Sequence, residues 1–151
     1  MSAQAVGEGP LARAPATAER KSCIEQYYSA LGEGRLLAHR CRKCGKHTFP
    51  PTACCEHCGS WDFEEATLSG RGKLLYASHG MAPPPHPRFT GIAPYVYGQV
   101  MLDEGVAVQA IIRGVDATPD ALRRIFERGA LPVRAAVMKT ADLPVLAFEL
   151  A

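Results

Sequence analysis

The chain has 151 residues, with 17 Lys and Arg against 15 Asp and Glu and a formal net charge of +2. A hydrophobic share of 47% beside 21% charged residues describes a globular chain and excludes a disordered one. So small a positive excess weighs against a dedicated nucleic-acid binder, which usually shows a strongly basic face. No apolar run reaches the roughly 20 residues that cross a bilayer.

Residues 1–18 are rich in Ala, Gly and Pro and lack the apolar core of a secretion signal. They read as a flexible arm on a cytoplasmic protein. Over 19–34 the pattern predicts a helix. Cys23, Ile24, Tyr27, Tyr28 and Leu31 recur at three- and four-residue spacing, and Gly32 and Gly34 end it. Such a stripe must pack on something, and Tyr27 and Tyr28 are candidates for docking a partner.

Residues 35–66 carry the metal signature. RLLAHR is a short strand, and Cys41-Arg-Lys-Cys44-Gly45 and Cys55-Glu-His-Cys58-Gly59 follow, with ten residues between them. Two residues between cysteines let both sulfurs reach one ion from a tight turn, and the glycine supplies the positive φ such turns need. Cys54 competes with Cys55 for the third ligand position, but only Cys55 repeats the x-x spacing. The expected zinc ligands are therefore Cys41, Cys44, Cys55 and Cys58. His47 and His57 can in principle substitute, though nothing requires it. Four thiolates close the shell, so the zinc is expected to be structural rather than catalytic. From Arg35 to Cys55 there is no acid, against Arg35, Arg40, Arg42, Lys43 and Lys46. These cations either form an anion site or balance the charge of a zinc tetrathiolate, and the two readings are compatible. WDFEEATL closes the ribbon as a strand, by its alternation.

Residues 67–151 read as five strands with one helix. A Gly70-Arg71-Gly72 turn leads into a strand of about ten residues. APPPHPRFTGIAP (82–94), with five prolines, is a loop. A hairpin from Tyr95 to Ile112 turns at Asp103-Glu104-Gly105, and Gly98 within it marks a bulge or close backbone approach. Thr118 caps a helix opened by Pro119, with Leu122, Ile125 and Phe126 as its buried face and Gly129 as its end. LPVRAAVMKT and LPVLAFEL are the last strands. A helix between the third and fourth of five strands is the order of an OB-fold barrel. The class is mainly β: an N-terminal helix, a rubredoxin-like zinc ribbon, then the barrel.

No nucleophile elbow or phosphate-binding glycine loop is present, and the acids are scattered. The order GRLLAHRCRKCGKHTFPP, CEHCGS, LSGRGKLLYASHG, HPRFTGIAPYVYGQVMLDEG and IRGVD resembles the zinc-ribbon plus OB-fold family associated with acyl-CoA enzymes. The resemblance runs from about residue 24 to 150 and is nearest to the branch of small zinc-finger subunits of benzoylsuccinyl-CoA thiolases in anaerobic toluene degradation. It implies a non-catalytic subunit that works with a thiolase-fold large subunit on an acyl-CoA thioester, with catalysis on the larger chain. Arg71, Lys73, His79, His86, Arg88 and Phe89 are then candidate contacts to CoA or substrate, and the loop 81–94 can cover a partner's active site. A single-stranded nucleic-acid module and a free-standing acyl-CoA carrier are the alternatives. The extra Cys54, a longer arm and a well-formed helix over 119–128 depart from the family pattern.

Overall fold

A computed structural model describes residues 22–80 and 83–151. The expected arm (1–18) and the start of the expected first helix lie outside them.

Helix α1 spans Cys23–Gly32. Ser22 caps it: its hydroxyl accepts from the Glu25 N–H, while the Glu25 carboxylate accepts from the Ser22 N–H. This reciprocal pair satisfies amide donors that a first helical turn leaves open. The helix packs on its own chain, against β1 (Leu36–Cys41) and β8 (Pro144–Leu150). Leu31 is fully buried, whereas Ile24, expected on the same face, is 68% exposed.

Strand β1 pairs antiparallel with β2 (His47–Thr48) and β3 (Phe63–Leu68), giving a three-stranded ribbon in the order β2-β1-β3. Pro50 and Pro51 follow β2 after one residue, Phe49, and neither can donate to a ladder, so β2 stays short. Trp61 falls outside β3 and is 75% exposed.

The link Ser69–Gly70 leads into the barrel. Strands β4 (Arg71–His79), β5 (Val96–Leu102), β6 (Ala107–Arg113), β7 (Leu131–Lys139) and β8 close in the order β4-β5-β6-β8-β7. The β6–β8 pair is parallel and the others antiparallel. Helix α2 (Pro119–Arg128), capped by Thr118, joins β6 to β7, so the five strands and their helix form the OB-fold barrel. Ala121, Leu122 and Ile125 are its buried residues. Phe126 is 58% exposed, which corrects its expected place in the core.

Gly98 sits where β5 crosses the bulge of β4 between Leu74 and Tyr76. A Cβ there would lie 2.5 Å from the Tyr76 carbonyl oxygen and 2.6 Å from Leu74 Cδ1. The glycine therefore permits a close backbone approach, and the bulge belongs to the opposite strand. The bulge leaves both Leu75 and Tyr76 exposed.

One apolar core runs through both sheets. Leu31, Leu36, Ala38, Phe49 and Leu68 of the helix and ribbon join Leu74, Val96, Val100, Ile112 and Phe148 of the barrel. Burial of this kind, worth about 25 cal/mol per Å² of apolar surface, packs the ribbon against the barrel.

Candidate metal centre and groove

The ribbon's two knuckles meet at one point. The sulfurs of Cys41, Cys44, Cys55 and Cys58 all lie within 4.8 Å of one another. Cys41 Sγ is 3.6 Å from Cys58 Sγ, and Cys44 Sγ is 3.6 Å from Cys55 Sγ. Zn–S bonds of about 2.3 Å in a tetrahedron set sulfurs ~3.8 Å apart, so the cage fits one zinc ion. Gly45 and Gly59 close the knuckles at φ 74° and 70°. Each donates its N–H to the carbonyl four residues back, on Cys41 and Cys55 respectively, at 2.8 Å.

The thiols are prepared unequally for metal. The Cys44 N–H, with that of Lys43, draws the Cys41 thiol down to about 6 against the cost of desolvation. For Cys58 the Ser60 N–H pulls down, but desolvation and the three neighbouring sulfurs prevail and push it up to about 11. A bound cation removes that conflict, because all four sulfurs can then be thiolates.

Cys54 stands outside this cluster, half-buried. Neither histidine weighed as a substitute belongs to the cluster, and the His57 ring is engaged elsewhere: its Nε2 lies 3.1 Å from the His47 carbonyl oxygen and donates to it. His39, which sequence reasoning passed over, is 5% exposed. It stacks on Phe63 at 3.9 Å, and its Nδ1 donates to the Thr52 carbonyl at 2.9 Å. This holds the segment between the knuckles against the ribbon sheet. The only sequence signal for it is the inward position of His39 in RLLAHR.

The cations around the cage are largely neutralised. Arg35 pairs with Glu33 at 2.9 Å, Arg40 with Glu64 at 3.5 Å, and Arg42 with both Asp62 and Glu64. Glu64 lies on β3 and Asp62 just before it, so these two adjoin β1 only in the folded ribbon, whereas Glu33 is two residues from Arg35. Lys43 and Lys46 make no ion pair among the described residues and sit beside the thiolate cage. This favours charge balance over a basic groove.

The candidate contact residues do not form one site. Arg71 and His79 are the two ends of β4, about 26 Å apart at 3.3 Å per residue. Arg71 is 3.7 Å from Asp103, and Lys73 is exposed. His79 Nδ1 donates to the Gly80 carbonyl at 3.3 Å. His86 caps a single 3-10 turn, Pro87–Phe89, its Nδ1 accepting from the Arg88 N–H. So the proline-rich loop is not wholly irregular: it folds back on the barrel. Arg88 Nη2 reaches Asp142 Oδ2 at 2.6 Å, and Phe89 packs on Tyr95.

Arg88 and Phe89 do come together with Tyr27 and Tyr28. All four line a groove of about 340 Å³, with Phe49 and Pro50 of the ribbon and residues 107–109 and 144–146 of the barrel. It opens where β6 and β8 diverge, because those strands pair only from Ile111 and Ala147 onward. Tyr27 contacts Tyr28 and Phe49 edge-on at 5.1 and 5.8 Å. Burial, helped by the neighbouring Tyr28, pushes its hydroxyl up to about 12, so it stays protonated. Tyr27 is thus largely engaged within the chain, and both tyrosines are half-buried and line the groove they share.

A ribbon with a closed four-cysteine cage, fused through one core to an OB-fold barrel, defines a zinc-ribbon/OB-fold protein. Residues 29–64 match the family described as "ChsH2, rubredoxin-like zinc ribbon domain", and residues 65–142 the one described as "ChsH2, C-terminal OB-fold domain". The chain belongs to this ChsH2 (DUF35) family. It is similar to the benzoylsuccinyl-CoA thiolase subunit BbsA of Geobacter metallireducens, with 30% identity over 120 residues, covering 76% of this chain and 72% of that one. It is also 35% identical over 92 residues to the probable enoyl-CoA hydratase alpha subunit of Thermomonospora curvata. That match covers 59% of this chain and 27% of the longer relative. Among solved structures, a chain of "Ltp2-ChsH2(DUF35) aldolase" superposes with TM-score 0.66 at 28% identity, over 89% of this chain and 98% of that one. Among the described residues no helix is long and apolar enough to cross a membrane.

Proposed function

We propose that this chain is a non-catalytic accessory subunit of a thiolase-type complex acting on an acyl-CoA thioester. The observation that carries the reading is the likeness of ribbon and barrel together, over 89% of this chain, to a chain of an aldolase assembly. The Geobacter relative, named as a thiolase subunit, supports the same class of partner. Benzoylsuccinyl-CoA is the substrate that this relative's name suggests.

The chemistry of the chain agrees. Catalytic zinc keeps a position open for water or substrate, and four cysteines leave none. A nucleophile needs a base within hydrogen-bond reach. Among the described residues His39, His79 and His86 bond through their rings to backbone groups of Thr52, Gly80 and Arg88, and His57 to the His47 carbonyl and the neighbouring Glu56 carboxylate, with no cysteine or serine nucleophile among these partners. The activated cysteine and the acid–base groups of a thiolase then belong to the partner. This chain supplies a rigid ribbon, a barrel, and a loop held by Arg88 at the groove.

Affinity purification of the tagged full chain from its native cell, with the partner identified by mass, tests this. A thiolase-fold protein in stable complex is the expected result. Recovery of the chain alone, together with acyl-CoA turnover by the isolated chain, would overturn it.

A further inference from the structure

The groove between α1, Pro50, the Pro87–Phe89 turn and the diverging strands β6 and β8 has the make-up of a small-molecule site. Its walls are Tyr27, Tyr28, Phe49, Phe89 and aliphatic residues, and Arg88 is the single charged side chain among those that line it. Ligand pockets are typically apolar with a few polar groups that fix orientation, and start at about 300 Å³. At ~30 Å³ per water the groove displaces roughly eleven waters. That suits a short acyl or single-ring body and is too small for a whole nucleotide thioester.

Arg88 has unused capacity. A guanidinium has five N–H donors. One Nη2 bond goes to Asp142, itself half exposed, while Nε is buried with no partner. A second acceptor at this guanidinium would complete a set that Asp142 fills only in part. Tyr27 and Gln109 also line the groove and carry neutral hydrogen-bonding groups.

We propose that this groove binds the carboxylate end of an apolar, preferably aromatic, acid, with Arg88 receiving the carboxylate and Phe49, Phe89 and the two tyrosines packing the body. The inference deepens the accessory-subunit reading, and rests on it only for why such an acyl acid would be present.

The test uses the isolated full chain with no partner and no CoA. The probes are 3-phenylpropionate, its neutral amide, and acetate, followed by backbone NMR shifts. A fragment of this size is expected to bind with a Kd on the order of 1 mM. The shifts should centre on residues 27–28, 49, 88–89 and 107–109. The amide and acetate should each bind at least tenfold more weakly, since one lacks the charge and the other the body. R88Q should lose the acid-over-amide preference and R88K keep part of it, with R123Q, an exposed position of α2 outside the groove, unchanged as control. If R88Q fails to fold, the acid–amide comparison on the unaltered chain still decides. Equal binding of acid and amide, or shifts centred elsewhere, would overturn the proposal. Acid binding in the groove without any thiolase-fold partner in the cell would leave this inference standing and remove the accessory-subunit reading. A stable partner complex with no acid binding would do the reverse.

Discussion

Ser69 donates its backbone N–H to Glu104 Oε1 at 2.6 Å, joining the ribbon–barrel link to the tip of the first barrel hairpin across 35 positions of sequence. Gly70 holds the next step at φ 72°, and its carbonyl accepts from the Ala135 N–H at 2.7 Å. The link is thus fixed on two sides, by β7 and by the hairpin turn.

Removing Glu104 should loosen this junction in a pH-dependent way. Burial raises the Glu104 carboxyl, but the Ser69 N–H, its own backbone N–H and the charge of His47 outweigh it and hold the group below its ordinary value. A lowered folded value means the stabilisation is complete above the unfolded value of about 4.3 and is lost as pH falls through the folded one. Urea melts of wild type and Glu104→Gln should therefore differ at pH 7 by about 1 kcal/mol, less than the roughly 1.5–3 kcal/mol of a hydrogen bond to a fully buried charge because Glu104 is part-exposed to solvent. The difference should shrink below pH ~4.3. Taking it as a difference cancels metal loss common to both proteins. A gap that stays constant with pH would contradict the assignment.

The two adjacent cysteines make a paired test of the cage. Cys55→Ser should lose the metal and unfold the ribbon, because structural zinc binding is folding energy. Cys54→Ser should retain one zinc per chain and melt within a few degrees of wild type. Metal analysis and thermal melts read both, and loss of zinc in Cys54→Ser alone would reverse the ligand assignment.

Gly98→Ala tests the close approach of β5 to the bulge. The new methyl would meet the Tyr76 carbonyl oxygen, which is backbone and cannot swing aside. Overpacking of this kind costs about 1–3 kcal/mol. Gly91→Ala, with open space around its Cβ position, should change stability by less than about 0.5 kcal/mol. Equal melting of the two variants would refute the contact.

Phe126 and Phe148 separate surface from core. Phe148 is 0% exposed at the centre of β8, and its replacement by Ala should cost about 3–5 kcal/mol. Phe126→Ala, on the exposed side of α2, should cost under about 1 kcal/mol in chemical denaturation. A large loss for Phe126 would mean that α2 packs more deeply.

Much of this architecture could be read from the chain because the signals are local. Cys-x-x-Cys-Gly contains both its ligands and its left-handed turn within five residues, and Thr118-Pro119 contains both its cap and its helix start. The OB-fold class of the barrel followed from counting strands around one helix. The failures are of another kind. Phe126 fits the helical stripe, yet α2 buries a narrower face, and no local pattern sets that width. The cations of 35–46 look unopposed in sequence, because Asp62 and Glu64 reach them only through the β1–β3 register. The groove is assembled from residues near 27, 49, 88, 108 and 145, so no window of sequence contains it. Arg88 and Phe89 were singled out, but their company with Tyr27 and Tyr28 was not foreseeable. Arg71 and Lys73 were grouped with them by chemistry, and β4 carries them to its far end.

The central claim is that this chain supports catalysis performed elsewhere. Reconstitution with the thiolase-fold partner tests it most directly, by thiolytic release of acyl-CoA measured for each chain alone and for the complex. The account predicts no turnover by this chain, and a complex at least tenfold faster than the large subunit by itself. A large subunit that runs at full rate without this chain, or turnover by this chain alone, would contradict it.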